Sequence, residues 1–129
     1  MSTFKLVNSY TQKPSIPIGN EEQLRAALGQ VSNNENCIVS LESSGHGTLT
    51  VGLGKNVGFV QFVNAAQEPP YMLAREDQSD NPDFVEFNAG GTPTPIPARY
   101  CMDVGKVVDI VIFFFENKKL PEHIRWESI

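Results

Sequence analysis

The sequence contains few of the residues that build most metal and catalytic sites. Its 129 residues include two cysteines, two histidines and one tryptophan. Neither His46 nor His123 has a second histidine, a cysteine or a carboxylate at the spacing of a metal motif such as His-x-x-x-His. We therefore expect no resident metal and no cofactor.

The cysteine count and the absence of a long apolar run limit where the protein can work. Cys37 and Cys101 are too few for a disulfide framework, and both have apolar neighbours, as buried free thiols commonly do. The N-terminus lacks the basic and apolar regions of a secretion signal. The longest apolar run, 110–115, is far shorter than the roughly 20 residues that cross a bilayer. We expect a soluble cytoplasmic protein.

Basic residues are outnumbered, with 10 lysines and arginines against 15 aspartates and glutamates, so the formal charge is -5. This balance argues against a nucleic-acid backbone or an anionic membrane as the main partner and favours a basic protein, although mild acidity also serves solubility. Hydrophobic residues make up 40% of the chain. The composition is that of a globular protein and, at this length, of one domain spanning 1–129.

The pattern of apolar residues predicts an α+β fold with a mainly antiparallel sheet. Asn20 is a good N-cap for a helix with Leu24 and Leu28 on one face. Segments 37–42, 48–53 and 57–63 are rich in β-branched and aromatic residues and predict a three-stranded meander, with further strands at 4–7, 71–74 and 84–87. Asp103 caps a second helix over 104–116. We expect five to six strands packed against an N-terminal and a C-terminal helix, and prolines 93, 95 and 97 in an extended connection.

The second helix is apolar on more than one side. Ile110, Ile112 and Phe113 fall outside its main apolar stripe. We therefore expect the C-terminal tail, through Ile124 and Trp126, to fold back and enclose the helix.

Three patterns resemble catalytic or phosphate sites and are better explained otherwise. His46 lies between two glycines in a predicted hairpin turn, and Cys101 with His123 lacks a group that would orient the imidazole. The glycine-rich segment 52–56 lacks the full phosphate-loop pattern and no helix-forming sequence follows it. The sequence thus predicts a protein that is not an enzyme.

The charge of the chain is concentrated between residues 68 and 86. This segment holds six carboxylates and one base, Arg75, and so carries -5. It lacks the order of ligands of an EF-hand. A solvated loop is one explanation, and a surface that steers a basic protein into place is the other. The predicted partner-binding residues are the six carboxylates with two apolar anchors: Glu68, Tyr71, Met72, Glu76, Asp77, Asp80, Asp83 and Glu86.

The last third of the chain resembles immunity protein family one of bacterial polymorphic toxin systems. The resemblance rests on a proline-flanked strand at 95–97, a helix ending in Phe115, the pair Leu120-Pro121 and a terminal Trp126. Upstream, the helix with its two leucines, the strands at 41–43 and 49–51 and the glycine pair at 90–91 follow a similar order. The run of three phenylalanines at 113–115 departs from the pattern, since small residues are more usual there.

The resemblance implies a small cytoplasmic α+β protein, without catalytic residues, that binds and blocks a cognate secreted toxin, often of the deaminase type. A toxin that acts on nucleic acid usually has a basic substrate cleft, which an acidic inhibitor can occupy. Two alternatives stay open: a subunit or homodimer joined through a sheet edge or the apolar helix, and a small enzyme with a pocket near Cys101 and His123.

Overall fold

A computed structural model describes residues 4–7, 16–32, 37–43, 45–66, 71–75, 82–89 and 92–128 of the chain. Ten strands, two α-helices and one turn of 3₁₀ helix lie within these ranges. In chain order they are β1 (Phe4–Val7), β2 (Ile16–Ile18), α1 (Glu21–Ser32), β3 (Cys37–Ser43), β4 (Gly47–Leu53), β5 (Val57–Val63), β6 (Met72–Arg75), β7 (Phe84–Ala89), β8 (Thr92–Pro97), the 3₁₀ turn (Ala98–Tyr100), β9 (Met102–Asp103), α2 (Val104–Asn117) and β10 (Arg125–Ser128).

Seven strands form the main sheet in the order β10-β6-β5-β4-β3-β1-β2, and all neighbouring pairs are antiparallel. The hairpin of β7 and β8 joins this sheet through one parallel bridge between Asn88 and Cys37. The two-residue strand β9 pairs with the start of β5. The hairpin is therefore connected to the sheet at the Asn88 end of β7.

Both helices pack on one face of the sheet, and local bonds define where they begin. The Asn20 side chain accepts a hydrogen bond from the Gln23 amide at 2.8 Å, and the Gln23 side chain accepts one from the Gly19 amide at 2.7 Å. Asp103 caps α2 by accepting from the Gly105 amide at 2.9 Å. Both N-caps are those that the sequence predicts.

The core between helices and sheet draws on both helices and on strands β1 to β6. Phe114 of α2 makes edge-to-face contacts with Phe4 and Phe62, with both ring centroids 6.0 Å away. Ile124 and Trp126 of the tail pack against this core, and the indole nitrogen donates to the Pro121 carbonyl at 3.3 Å. The predicted return of the tail is confirmed, and it leaves Phe113 half-buried.

A second, smaller core lies on the opposite face of the sheet, beneath the β7–β8 hairpin. It contains Ile38, Phe59, Leu73, Phe87 and Tyr100, all buried. The Phe59 and Phe87 rings meet edge to face with centroids 5.0 Å apart. The molecule therefore has three layers in the described ranges: helices, sheet and hairpin.

The predicted α+β class, antiparallel sheet and two helices are confirmed, but the strand number is wrong. The sheet has ten strands in the described ranges instead of five to six. The strands that the apolar pattern does not predict are β2, β8, β9 and β10, which are short or rich in proline. The family resemblance alone indicates a strand at 95–97, which lies within β8. The pairing of these four strands is imposed by neighbouring strands and not by their own composition. The helices are also not terminal, because β1 and β2 precede α1 and β10 follows α2.

Candidate partner-binding surface

Half of the predicted partner-binding residues lie within the described ranges. Glu68, Glu76, Asp77 and Asp80 lie outside them. Of the remaining four, Tyr71 and Asp83 immediately precede β6 and β7, and Met72 and Glu86 lie within these strands.

Tyr71 immediately precedes β6 and Met72 is its first residue, so their side chains point to opposite faces of the strand. Tyr71 is 36% exposed. Met72 lies opposite Phe62 in the sheet and on the same face as Ala74, which belongs to the helix-side core. Since side chains alternate along a strand, Met72 faces the helices and not the hairpin.

The β7 strand separates its side chains into a buried and an exposed row. Phe87 is fully buried and Val85 packs against the same core, so Phe84 and Glu86 point away from it. Phe84 is 64% exposed, the most exposed large apolar side chain among the described residues. Asp83 and Glu86, both predicted partner-binding residues, are exposed on either side of it. The structure thus places an exposed aromatic ring in the same outer row as Glu86, and the exposed Asp83 immediately precedes it in the chain.

Prolines of β8 lie directly across from the exposed row of β7. Pro97 is opposite Phe84 and Pro95 is opposite Glu86. Proline fixes the backbone φ angle, so this strand loses little further freedom when a partner binds. The Ala98 amide donates to the Asp83 carbonyl at 2.8 Å and fixes the open end of the hairpin. We call Asp83, Phe84, Glu86, Pro95 and Pro97 the hairpin face.

Sequence reasoning missed Phe84, although a signal for it exists. Phe84 and Phe87 are three positions apart in one strand, and an odd separation places two side chains on opposite faces. One of the two rings therefore had to be exposed. Which one is buried depends on Phe59, a contact that local sequence does not reveal.

A second cluster of charged groups lies where β6, the 3₁₀ turn and β10 meet. The buried Arg75 donates to Glu127 Oε2 at 2.8 Å, and the Tyr100 hydroxyl donates to Glu127 Oε1 at 3.0 Å. The Arg75 guanidinium, with the Tyr100 hydroxyl and Arg125, holds the pKa of Glu127 below its ordinary value. The guanidinium of Arg99 lies 4.9 Å from the centroid of the Tyr100 ring. No sequence motif connects these residues.

Cys101 and His123, the pair considered for catalysis, each contact neighbouring groups of the fold. Burial raises the pKa of the Cys101 thiol to about 11, and the thiol donates weakly to the Pro97 carbonyl at 3.7 Å. Cys101 therefore stays protonated near neutral pH, whereas a nucleophilic cysteine must be a thiolate. The His123 ring packs edge to face on Phe113 with centroids 6.4 Å apart.

The His123 ring also borders a groove of about 540 Å³ between α2 and the tail. The groove is lined by Lys106, Asp109, Ile110, Phe113, His123 and Ile124.

Within the described ranges, no three histidine, cysteine or acidic side chains are grouped so that they could hold a metal ion. No described helix has the length and apolar character needed to cross a membrane.

Comparison with protein families gives one match that covers most of the chain. The family model for Immunity protein Imm1 matches residues 12–128. The match contains the smaller core, the hairpin face and the charged cluster around Glu127, and all of the larger core except Phe4 and Leu6 of β1. Comparison with curated proteins gives no match.

Proposed function

We propose that this chain, which belongs to the Imm1 family of immunity proteins, binds a cognate protein toxin in the cytoplasm and neutralises it by covering its active site. Immunity proteins of this kind act by binding, so the chain needs no catalytic group of its own. The low reactivity of Cys101 is consistent with this role. Membership of the family supports the toxin as partner, and the surface of the chain supports a particular contact site.

The observation that carries the contact site is the exposed Phe84 between Asp83 and Glu86. Binding energy at protein interfaces is concentrated in a few large side chains that enter pockets of the partner. A ring that is 64% exposed on a strand paired with prolines is available for such a contact with little loss of conformational freedom. Phe84 is therefore the proposed apolar anchor, in place of Met72.

The charge of the segment supports a basic partner surface. Asp83 and Glu86 continue a run of acidic positions that includes Glu68, Glu76, Asp77 and Asp80. A toxin that acts on nucleic acid needs a basic cleft for the phosphate backbone, and carboxylates can occupy such a cleft in place of phosphate. We assign the whole acidic segment, with Tyr71 at its centre, to this contact.

The test starts from the product of the gene immediately upstream, because immunity genes lie next to their toxin genes. Its C-terminal toxin domain is co-expressed with the native chain, and the complex is purified and its Kd measured. Phe84→Ala should weaken binding by about 2 kcal/mol, roughly thirty-fold in Kd. The double change Asp83→Lys with Glu86→Lys should abolish protection of cells that express the toxin.

A matched control changes two exposed acidic residues elsewhere, Asp109→Lys on α2 and Glu122→Lys in the tail. This variant has the same net charge as the hairpin variant and should protect fully. Full protection by a folded Asp83→Lys, Glu86→Lys protein would place the contact elsewhere. Lost protection in the control alone would point to the helix layer, and the absence of any complex would contradict the proposed function itself.

A further inference from the structure

Three guanidinium groups and one carboxylate lie near Tyr100 at one edge of the sheet. Arg75 bonds to Glu127, Arg125 lies across from Arg75 in the strand pairing, and Arg99 stacks on the Tyr100 ring. We call Arg75, Arg99, Arg125 and Glu127 the arginine cluster, which carries a net charge of +2 from three positive groups and one negative group. The chain as a whole carries -5. The cluster is therefore a local exception to the acidity of the molecule.

Within the cluster, Arg75 and Glu127 form an ion pair with each other. Arg75 is 7% exposed and bonds to one Glu127 oxygen, while Tyr100 bonds to the other. In the described part of the chain, no ion pair engages Arg99 or Arg125. Arg125 is exposed and Arg99 is half-buried, stacked on the Tyr100 ring. Among the described residues, neither of these two guanidinium groups forms an ion pair, and Arg125 acts on Glu127 through its charge alone.

The position of Arg125 is electrostatically unfavourable in the free protein. Arg125 lies directly across from Arg75 in the pairing of β10 with β6. Like charges at directly opposite positions destabilise a sheet. Arg125 is also attracted to Glu127, which offsets part of this repulsion, but the other members of the cluster, Arg75, Arg99 and Glu127, still sum to +1. A like-charged pair across a sheet breaks a local rule, and such positions are common at binding sites.

The 3₁₀ turn connects the arginine cluster to the hairpin face. Tyr100 and Phe87 belong to the same core, so both features lie on the side of the sheet opposite the helices. Pro97 is paired with Phe84, and the next residue, Ala98, donates to the Asp83 carbonyl. Arg99 follows immediately. Along this path the surface changes from negative at Glu86 and Asp83, through the Phe84 ring, to positive at Arg99 and Arg125.

We propose that Arg99 and Arg125 bind carboxylates of the toxin, so that the toxin surface carries an acidic group beside the basic one that meets Asp83 and Glu86. This inference rests on the proposed function and adds the orientation of the complex to it. An arginine fork matches a carboxylate with two parallel hydrogen bonds. A polyanion such as nucleic acid is disfavoured, because the adjacent carboxylates and the charge of -5 would repel it.

The first experiment needs no toxin and uses the native full-length chain. Hexaglutamate serves as the carboxylate probe in an NMR titration that follows the side-chain Nε–Hε signals of Arg99 and Arg125. These two signals should shift with hexaglutamate and not with hexalysine. The absence of a shift, or a larger shift with a short single-stranded DNA than with hexaglutamate, would overturn the assignment.

The second experiment uses the toxin domain from the co-expression above. Arg99→Glu with Arg125→Glu should weaken the Kd by about a hundred-fold, with Lys55→Glu and Lys119→Glu, two exposed lysines, as the control of equal charge. Arg125→Gln should weaken binding while its Tm equals or exceeds that of the native chain. A lower Tm would make Arg125 a structural residue. If the arginine variants bind normally while the Asp83, Glu86 variant fails, this inference is wrong and the proposed function stands.

Discussion

At the residue scale, two glycines differ in the space around their Cα atoms. A Cβ added to Gly52 in β4 would overlap the Phe59 ring and approach the Phe87 ring to 3.0 Å. Apart from its chain neighbours and the backbone of α1, a Cβ added to Gly29 would meet no atom of the described residues within 4 Å. Gly52→Ala should therefore lower the free energy of unfolding by about 3 kcal/mol, as overpacked cores do.

Gly29→Ala is the matched substitution with the opposite expected sign. Alanine is favoured over glycine inside a helix, so the free energy of unfolding should rise by about 1 kcal/mol. Urea denaturation of both variants measures the two changes. A stable Gly52→Ala protein would mean that the Phe59 and Phe87 pair is not tightly packed beneath the hairpin.

The bond from Arg75 to Glu127 predicts a dependence of stability on pH. The pKa of Glu127 is lowered in the folded chain, chiefly by Arg75 and then by the Tyr100 hydroxyl. A lowered carboxyl pKa contributes stability that is present above the unfolded pKa, about 4.3, and is lost as the pH falls through the folded pKa. The free energy of unfolding of the native chain should therefore fall as the pH drops through this range. For the Glu127→Gln variant, the free energy of unfolding should fall less over the same range.

Thermal unfolding between pH 6 and the acid limit of solubility tests this expectation. Glu122→Gln, which removes an exposed carboxylate from the tail, is the control and should follow the native pH profile. Parallel profiles for the native and Glu127→Gln proteins would show that the Arg75 contact contributes nothing to acid sensitivity.

At the scale of elements, prolines protect the free edges of the sheet. Pro93, Pro95 and Pro97 alternate along β8, and none of them can donate a ladder hydrogen bond. The backbone groups of these prolines therefore point to the outer side of β8, while the backbone groups of the intervening residues bond to β7. β2 has Pro17 on its edge in the same way, whereas β10 has no proline.

The double replacement Pro93→Val with Pro95→Val should allow the outer edge of β8 to pair with a strand of another molecule. It restores two outward N–H groups on a strand that already exposes several carbonyls, so self-association should increase. Light scattering at increasing protein concentration measures the effect. Pro121→Val, outside the strands, is the control, and equal association of both variants would show that the edge is not the cause.

The elements that sequence predicts best are those that carry their own periodicity. The stripe of α2 and the β-branched and aromatic runs of β3, β4 and β5 are strong local signals, so local sequence suffices to predict these elements. β2, β8 and β10 are strands because a neighbouring strand is already in place. The same distinction applies to the surface: acidic residues are close in sequence, whereas the arginine cluster joins Arg75, Arg99 and Arg125 from three separate elements.

At the scale of the whole molecule, charge and apolar contact should affect different steps of toxin binding. Attraction between distant charges accelerates association and is screened by salt, whereas a buried ring mainly slows dissociation. The hairpin face and the arginine cluster supply charges of both signs around Phe84. We therefore expect the association rate with the toxin domain to fall about tenfold between about 0.05 M and 0.5 M salt.

The variants separate the two steps in stopped-flow measurements with the toxin domain. Asp83→Lys with Glu86→Lys should slow association and flatten its dependence on salt, since it removes the steering charges. Phe84→Ala should leave the association rate and its salt dependence unchanged and increase the dissociation rate about thirty-fold. If Phe84→Ala instead slows association at every salt concentration, the ring acts in the encounter and not as the anchor of the bound complex.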